Sequence, residues 1–209
     1  MQKVRMILGL VVLVGVLAGC SKSDPTPALV AVTFKNLSAD PPSGGYNPAN
    51  GQPIGVTNKY TLFSFATGAT VANSDSASTK WDIGFNGTKI IINSGTSGPG
   101  SAAALVVTGI FSELNLAPDA GYLTDNSATA TYAITRGSGK GWYNYDPSTN
   151  LISPIAGRVI MVKTSGGKYA KMEIISYYKD APASPSATST DRYYTFRYLY
   201  QPDGSKKLQ

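Results

Sequence analysis

The chain has 209 residues, 42% hydrophobic and 14% charged, with a formal charge of +6, no histidine and one cysteine. Those counts exclude the usual His/Cys zinc and copper centres, a Ser-His-Asp triad and a Cys-His pair. They also exclude a disulfide within the chain, so a domain of this length must rest on its apolar core.

Lys3 and Arg5 precede an apolar run, Met6 to Val16, that ends in Leu17-Ala18-Gly19-Cys20. A basic start, an apolar stretch and small residues before a cleavage point make a secretory signal. The run is too short for the ~20 residues of a membrane-spanning helix. Its ending resembles a bacterial lipobox, so the expectation is a lipoprotein signal over 1–19, cleaved before Cys20. The Cys20 thiol then carries acyl chains such as palmitate, each buried CH₂ contributing about 0.8 kcal/mol to membrane attachment. Residues 20–29 are small, polar and Pro-containing and read as a lipidated tether. Without Lys3 and Arg5 the mature chain keeps 16 basic and 12 acidic groups, scattered except for Lys206-Lys207. No concentrated basic patch points to nucleic acid.

From residue 30 to 209 one β domain is expected, mostly antiparallel, with long Gly/Pro/Ser-rich loops and little helix. In chain order the β-branched and aromatic runs cover 30–37, 59–65, 80–86, 88–93, 103–109, 141–146, 157–164, 168–178 and 192–200. Asn86-Gly87 reads as a type I′ hairpin turn, and Ser165-Gly166-Gly167 as a second hairpin. Phe111 to Leu116 could form a turn or two of helix before Pro118. The segments 38–58, 94–102 and 179–191 read as mobile surface loops. Strand alternation puts Ala170, Met172, Ile174 and Ser176 on one face, and Lys171, Glu173 and Ile175 on the other. The same rule gives an aromatic stripe of Tyr194, Phe196, Tyr198 and Tyr200.

Catalytic signals are weak. Ser165 and Lys168 match S-x-x-K, but at the tip of a glycine hairpin instead of a packed nucleophile site. Gly137 to Gly141 (GSGKG) lacks the spacing and the Ser/Thr of a phosphate loop. Asp82, Glu113, Asp119, Asp125, Asp146 and Glu173 could supply paired carboxylates, yet nothing in the sequence brings two together. No catalytic residue and no resident metal site are assigned. Aromatics are the richer signal: all of the thirteen tyrosines except Tyr46 and Tyr60 follow Gly121. In a β domain most are packing; a flat platform could also stack on a planar ligand or a sugar ring.

Three blocks, TKWDIGFNGTKIIINSGTSGPGSAAAL (79–105), GWYNYDPSTNLISPIAGRVIMVKTSGGKYAKMEIISYYKDAP (141–182) and RYYTFRYLYQPDGS (192–205), resemble the HmuY family. These are lipidated haem-binding proteins of Bacteroidetes. The resemblance implies an all-β fold with a haem cleft and a lipid-anchored, non-enzymatic protein on the outer membrane, at the cell surface. It would serve iron acquisition as a haemophore, capturing haem or a related porphyrin and passing it to a TonB-dependent receptor. Haem-binding relatives clamp iron with a His pair or a Met pair. This sequence has no His, and the mature chain has only Met161 and Met172, both inside expected strands. Tyrosine also ligates haem iron, so the candidate haem-binding residues are Tyr143, Tyr145, Met161 and Met172. The alternative is a non-haem lipoprotein on the same scaffold, with a glycan or a protein as its partner.

Overall fold

The computed structural model describes residues 28–209. The signal segment, Cys20 and nearly all of the tether lie outside the described residues. Eleven strands follow in order: β1 (Val32–Ser38), β2 (Thr61–Ser64), β3 (Ala69–Val71), β4 (Ile83–Asn86), β5 (Lys89–Ile92), β6 (Ala103–Thr108), β7 (Tyr143–Asp146), β8 (Leu151–Pro154), β9 (Arg158–Lys163), β10 (Tyr169–Tyr178) and β11 (Asp191–Gln201). The helical content described is one 3₁₀ turn, Asn73–Asp75. The domain is all-β, as the sequence indicates.

A five-stranded sheet has the order β1-β11-β10-β9-β6, a four-stranded sheet the order β3-β2-β4-β5, and β7-β8 form a separate ribbon. All the pairings are antiparallel. The inward faces of the two larger sheets share one core. Phe63, Phe65, Ile83 and Phe85 meet Met172, Ile174, Tyr194, Phe196 and Tyr198 there. Phe196 stacks 5.8 Å from Phe85 and 5.6 Å from Phe34, and meets Phe63 edge-on at 5.3 Å. Such pairs add about 0.5–1.5 kcal/mol each beyond their burial. The expected aromatic stripe is therefore the inner face of β11, with Tyr200 half-buried at its edge.

The other face of the large sheet carries a second core of Val159, Met161, Leu199, Phe111, Ala117 and Leu208. Phe111 to Leu116 does not become a helix. It folds as turns whose carbonyls are taken from outside: the Lys171 ammonium donates to the carbonyls of Phe111 (2.7 Å) and Leu114 (3.1 Å). Leu29, assigned from sequence to the tether, packs on this second core.

The first hairpin turns one residue later than expected. Asn86 pairs with Lys89, leaving Gly87-Thr88 as the two-residue loop. Gly87 has φ 52° while neither Asn86 nor Thr88 has a positive φ, the pattern of a II′ turn instead of I′. A bulge in β10 between Ile174 and Ser176 breaks simple alternation. Ile175 stays exposed, and Tyr177 and Tyr178 are both buried. Two strands escaped the sequence reading altogether, β3 and β8; each is short, and β8 ends in Pro154.

Candidate functional site

The irregular segments converge on a cleft of about 610 Å³. One wall is the β7–β8 ribbon, which contributes Tyr145, Asn150, Leu151 and Ile152. The opposite wall is where β10 ends and β11 begins, with Tyr177, Tyr178, Asp191 and Arg192. Above them hangs a flap from the 38–58 segment, which sequence reads as a mobile loop. Its backbone closes a small hairpin through Gly44 N–H to Ile54 O (3.0 Å), Ile54 N–H to Gly45 O (2.8 Å) and Asn47 N–H to Gln52 O (2.8 Å). This flap brings Tyr46 and Pro48 to the cleft.

The ribbon is held from behind. Trp142 is buried, packs 4.9 Å from Tyr143, 5.7 Å from Tyr177 and 5.1 Å from Tyr194, and donates its indole N–H to the Thr88 carbonyl at 3.0 Å. The Tyr178 hydroxyl accepts the Ile152 N–H at 2.9 Å, fixing β8 to the end of β10. Asp146 caps the turn between β7 and β8 by accepting from the Ser148 N–H and hydroxyl and from the Thr149 hydroxyl. Those bonds, led by the Ser148 hydroxyl, hold its carboxyl below the usual range. The glycine-rich 137–141 segment belongs to the same support, since the Ser138 hydroxyl accepts the Tyr145 N–H at 2.8 Å.

A polar group lies between flap and wall. The Tyr46 hydroxyl donates to Asp191 Oδ2 at 2.5 Å. Arg192 donates through one terminal nitrogen to the Asp40 carbonyl at 3.0 Å, while its Nε is buried with no hydrogen-bond partner among the described residues. Arg192 has φ 59°, a strained conformation for a residue with a side chain. Burial, followed by the bond to Asp191, pushes the Tyr46 phenol up to about 12, with Arg192 acting in the opposite direction. Burial also raises the Tyr177 and Tyr178 phenols.

The four residues named from sequence go to different places. Tyr145 is 42% exposed, lines the cleft and donates its hydroxyl to Asn150 Oδ1 at 2.7 Å. Tyr143, its neighbour on β7, is half-buried against Trp142 and the main core. Met161 and Met172 are fully buried, on opposite faces of the large sheet. In the register, Met161 pairs with Lys171 while Met172 pairs with Ile160. The structure brings neither methionine to the cleft. The residues that sequence reading missed are Tyr46, Asp191 and Arg192. Their signal is tertiary, because the flap and the start of β11 are far apart in the chain.

The other sequence candidates have structural duties. The Ser165 hydroxyl donates to the Trp81 carbonyl at 2.8 Å. Asp82 accepts the N–H groups of Phe65 (2.9 Å) and Ser165 (2.8 Å), and Asp125 accepts those of Ile92 and Ala133, both at 3.0 Å. Glu173 pairs with Arg197, and Asp119 with Lys206.

The sequence model of the HmuY protein family matches residues 56–198. Similar solved structures include an HmuY-like protein from Bacteroides vulgatus ATCC 8482 described as haem-binding, with 17% identity and a TM-score of 0.47 over 81% of this chain and 90% of that one. An apo HmuY analog from Tannerella forsythia is 15% identical, with a TM-score of 0.48 over 86% of this chain and all of its own. A chain from Bacteroides fragilis NCTC 9343 described as a lipoprotein is 15% identical, with a TM-score of 0.43 over 68% and 84%. Comparison with curated proteins finds no match.

Proposed function

The chain belongs to the HmuY family, and from that membership we propose that it binds haem or a related porphyrin in the cleft between the β7–β8 ribbon and the flap. The observation that carries this reading is the cleft itself. At about 610 Å³ it falls within the range of small-molecule sites, about 300–1,000 Å³. Four tyrosines, Leu151, Ile152 and Pro48 give it aromatic and apolar walls for a flat macrocycle, and Arg192 supplies a cation for carboxylate substituents.

The donor set fits haem iron through oxygen. With both methionines buried in the cores and histidine absent, the phenols and the Asp191 carboxylate are the anionic oxygen donors that the cleft offers. Phenolate is a hard anionic donor suited to ferric iron. Tyr145 forms part of the cleft wall, and Tyr143, on the same strand, packs against Trp142. In this reading the porphyrin itself is carried unaltered. Its residues bind, orient and shield.

In the cell this domain is held at the outer-membrane surface by acylated Cys20, and it hands its ligand to a TonB-dependent receptor. The lipobox-like ending at Cys20 and the family membership support that part of the proposal. Haemin titration of the domain starting after Cys20 tests the binding. The expected result is a Soret shift saturating at one equivalent, with quenching of tryptophan fluorescence because Trp142 lies behind the cleft wall. Absence of a saturable shift would reject haem as the ligand.

A further inference from the structure

Resting on the haem reading above, the geometry points to Tyr46 as the residue that bonds the iron, with Asp191 taking its proton and Arg192 standing beside the resulting phenolate. A phenol coordinates a metal as the anion, so its proton must leave. Metal coordination itself weakens the O–H bond, and a cleft tyrosine whose hydroxyl is already bonded to a carboxylate has an acceptor in place for the released proton.

The four cleft tyrosines differ on this point. Tyr145 donates to the amide oxygen of Asn150, a group that does not hold an extra proton near neutrality. The Tyr178 oxygen accepts the Ile152 backbone N–H, so one of its lone pairs is engaged in fixing β8. Tyr177 is only 2% exposed, wedged between Trp142 and Tyr194. Tyr46 is 44% exposed, and its hydroxyl donates to a carboxylate, Asp191 Oδ2. Arg192 is the next residue, lines the same cleft, and has an unpartnered Nε among the described residues. Tyr46 is therefore the exposed cleft phenol whose hydroxyl is bonded to a carboxylate, with a guanidinium on the next residue to offset the new charge.

The balance of the step is simple. With ferric haem bound, a lone pair of the Tyr46 oxygen would bond the iron in place of a weakly held water, and the O–H bond, weakened by the metal, would break with its proton passing to Asp191. No electron is transferred. Asp191 and Arg192 act through Tyr46 and are positioning residues.

The test is haemin titration of the full chain in detergent for wild type, Tyr46→Phe, Tyr145→Phe and Asp191→Asn. Visible absorption and resonance Raman are recorded, together with the melting temperature of each protein before haemin is added. Wild type should show a phenolate-to-iron charge-transfer band and tyrosinate Raman modes. Tyr46→Phe should lose both, while Tyr145→Phe should keep them. Asp191→Asn, which leaves the phenol in place, should weaken haemin binding by about 10–100-fold, the usual effect of removing a group that orients a ligand. Should Tyr46→Phe fail to fold, Asp191→Asn still decides the matter: haemin binding as tight as wild type would overturn the assignment. Tyrosinate modes persisting in Tyr46→Phe would overturn it while leaving haem binding intact. Weaker binding by Tyr46→Phe, with a wild-type spectrum free of tyrosinate modes, would reduce Tyr46 to a latch for the flap and also overturn it. A wild-type chain that takes up no haemin would overturn this inference and the haem reading together.

Discussion

Asp82→Ala should be among the most damaging single changes outside the apolar core. Asp82 is 4% exposed, and its two oxygens accept the N–H groups of Phe65 and Ser165. Phe65 follows β2 in the small sheet, and Ser165 lies in the turn joining β9 to β10 in the large one. One side chain therefore fastens the two sheets together. Alanine leaves two N–H groups without their acceptor at about 1–3 kcal/mol each, so about 2–6 kcal/mol in all. Native domains have about 5–15 kcal/mol to lose. In a domain of this size each kcal/mol moves Tm by about 2–4 °C, so a loss of about 4 kcal/mol corresponds to about 8–16 °C. Asp82→Asn separates two opposing effects. Its amide oxygen accepts one N–H while its NH₂ group faces the other donor. It also removes a carboxylate whose pKa is pushed up by burial, with the bonds from Phe65 and Ser165 pulling the other way. Because a donor facing a donor costs a full bond, Asp82→Asn should fall between wild type and Asp82→Ala. Urea unfolding at pH 7, followed by tryptophan fluorescence and circular dichroism, gives both numbers. An Asp82→Ala domain within about 1 kcal/mol of wild type, or an Asp82→Asn domain more stable than wild type, would mean that Asp82 does not fasten the sheets.

Phe196→Ala removes the ring at the centre of the aromatic cluster and should cost about 3–5 kcal/mol; a smaller loss in the same denaturation assay would mean the cluster closes over the gap. Stability should also fall at alkaline pH. Burial first, then the Asp191 bond, raises Tyr46 to about 12; burial first, then Tyr169 and Asp119, raises Tyr122 to about 12; burial holds Tyr194 well above 10. These phenols keep their protons in the folded state after the unfolded chain loses its own near pH 10. The stability is therefore intact below about pH 10 and drains away as pH rises towards 12. Lys171, its pKa lowered by burial and then by Arg197, opposes this only up to about pH 10.5. A free energy of unfolding unchanged between about pH 9 and pH 12 would contradict the raised phenol values. Cys20→Ser should leave the precursor uncleaved and unlabelled by palmitate in cells; continued labelling would reject the lipoprotein signal.

The large sheet was nearly all legible in the sequence. Its strands are long and β-branched or aromatic, as the runs at 157–164, 168–178 and 192–200 show. The local rule failed at specific places: the three-residue β3, the Pro-terminated β8, and the bulge that turns Tyr177 inward. It also failed at Phe111 to Leu116, where the side chain of Lys171, distant in the chain, takes up the carbonyls of Phe111 and Leu114. Alternation separates Val159, Met161 and Lys163 from Ile160 and Val162, yet only the cross-strand register shows that Met161 and Met172 face apart. The cleft was legible only in part. Tyr145 stood out because an aromatic ribbon surrounds it. Tyr46 did not, because a polar, Gly- and Pro-rich segment looks the same whether it wanders in solvent or folds back over a wall. Asp191 and Arg192 gave no local sign of facing it.

The pairing of β1 with β11 sets the order in which this domain can be made. Val32 lies opposite Tyr198 and Ser38 opposite Tyr193, so the first strand to emerge waits for the last before it has a neighbour. Until then Tyr194, Phe196 and Tyr198 are missing from the aromatic cluster against which Phe34 and Leu37 pack. Contacts so distant in sequence fold slowly and leave strand edges open to aggregation. During synthesis the chain would therefore depend on holding chaperones until residues 191–201 had emerged. Truncations that remove β11 should accordingly be lost to proteolysis as whole domains instead of surviving as shorter folded cores.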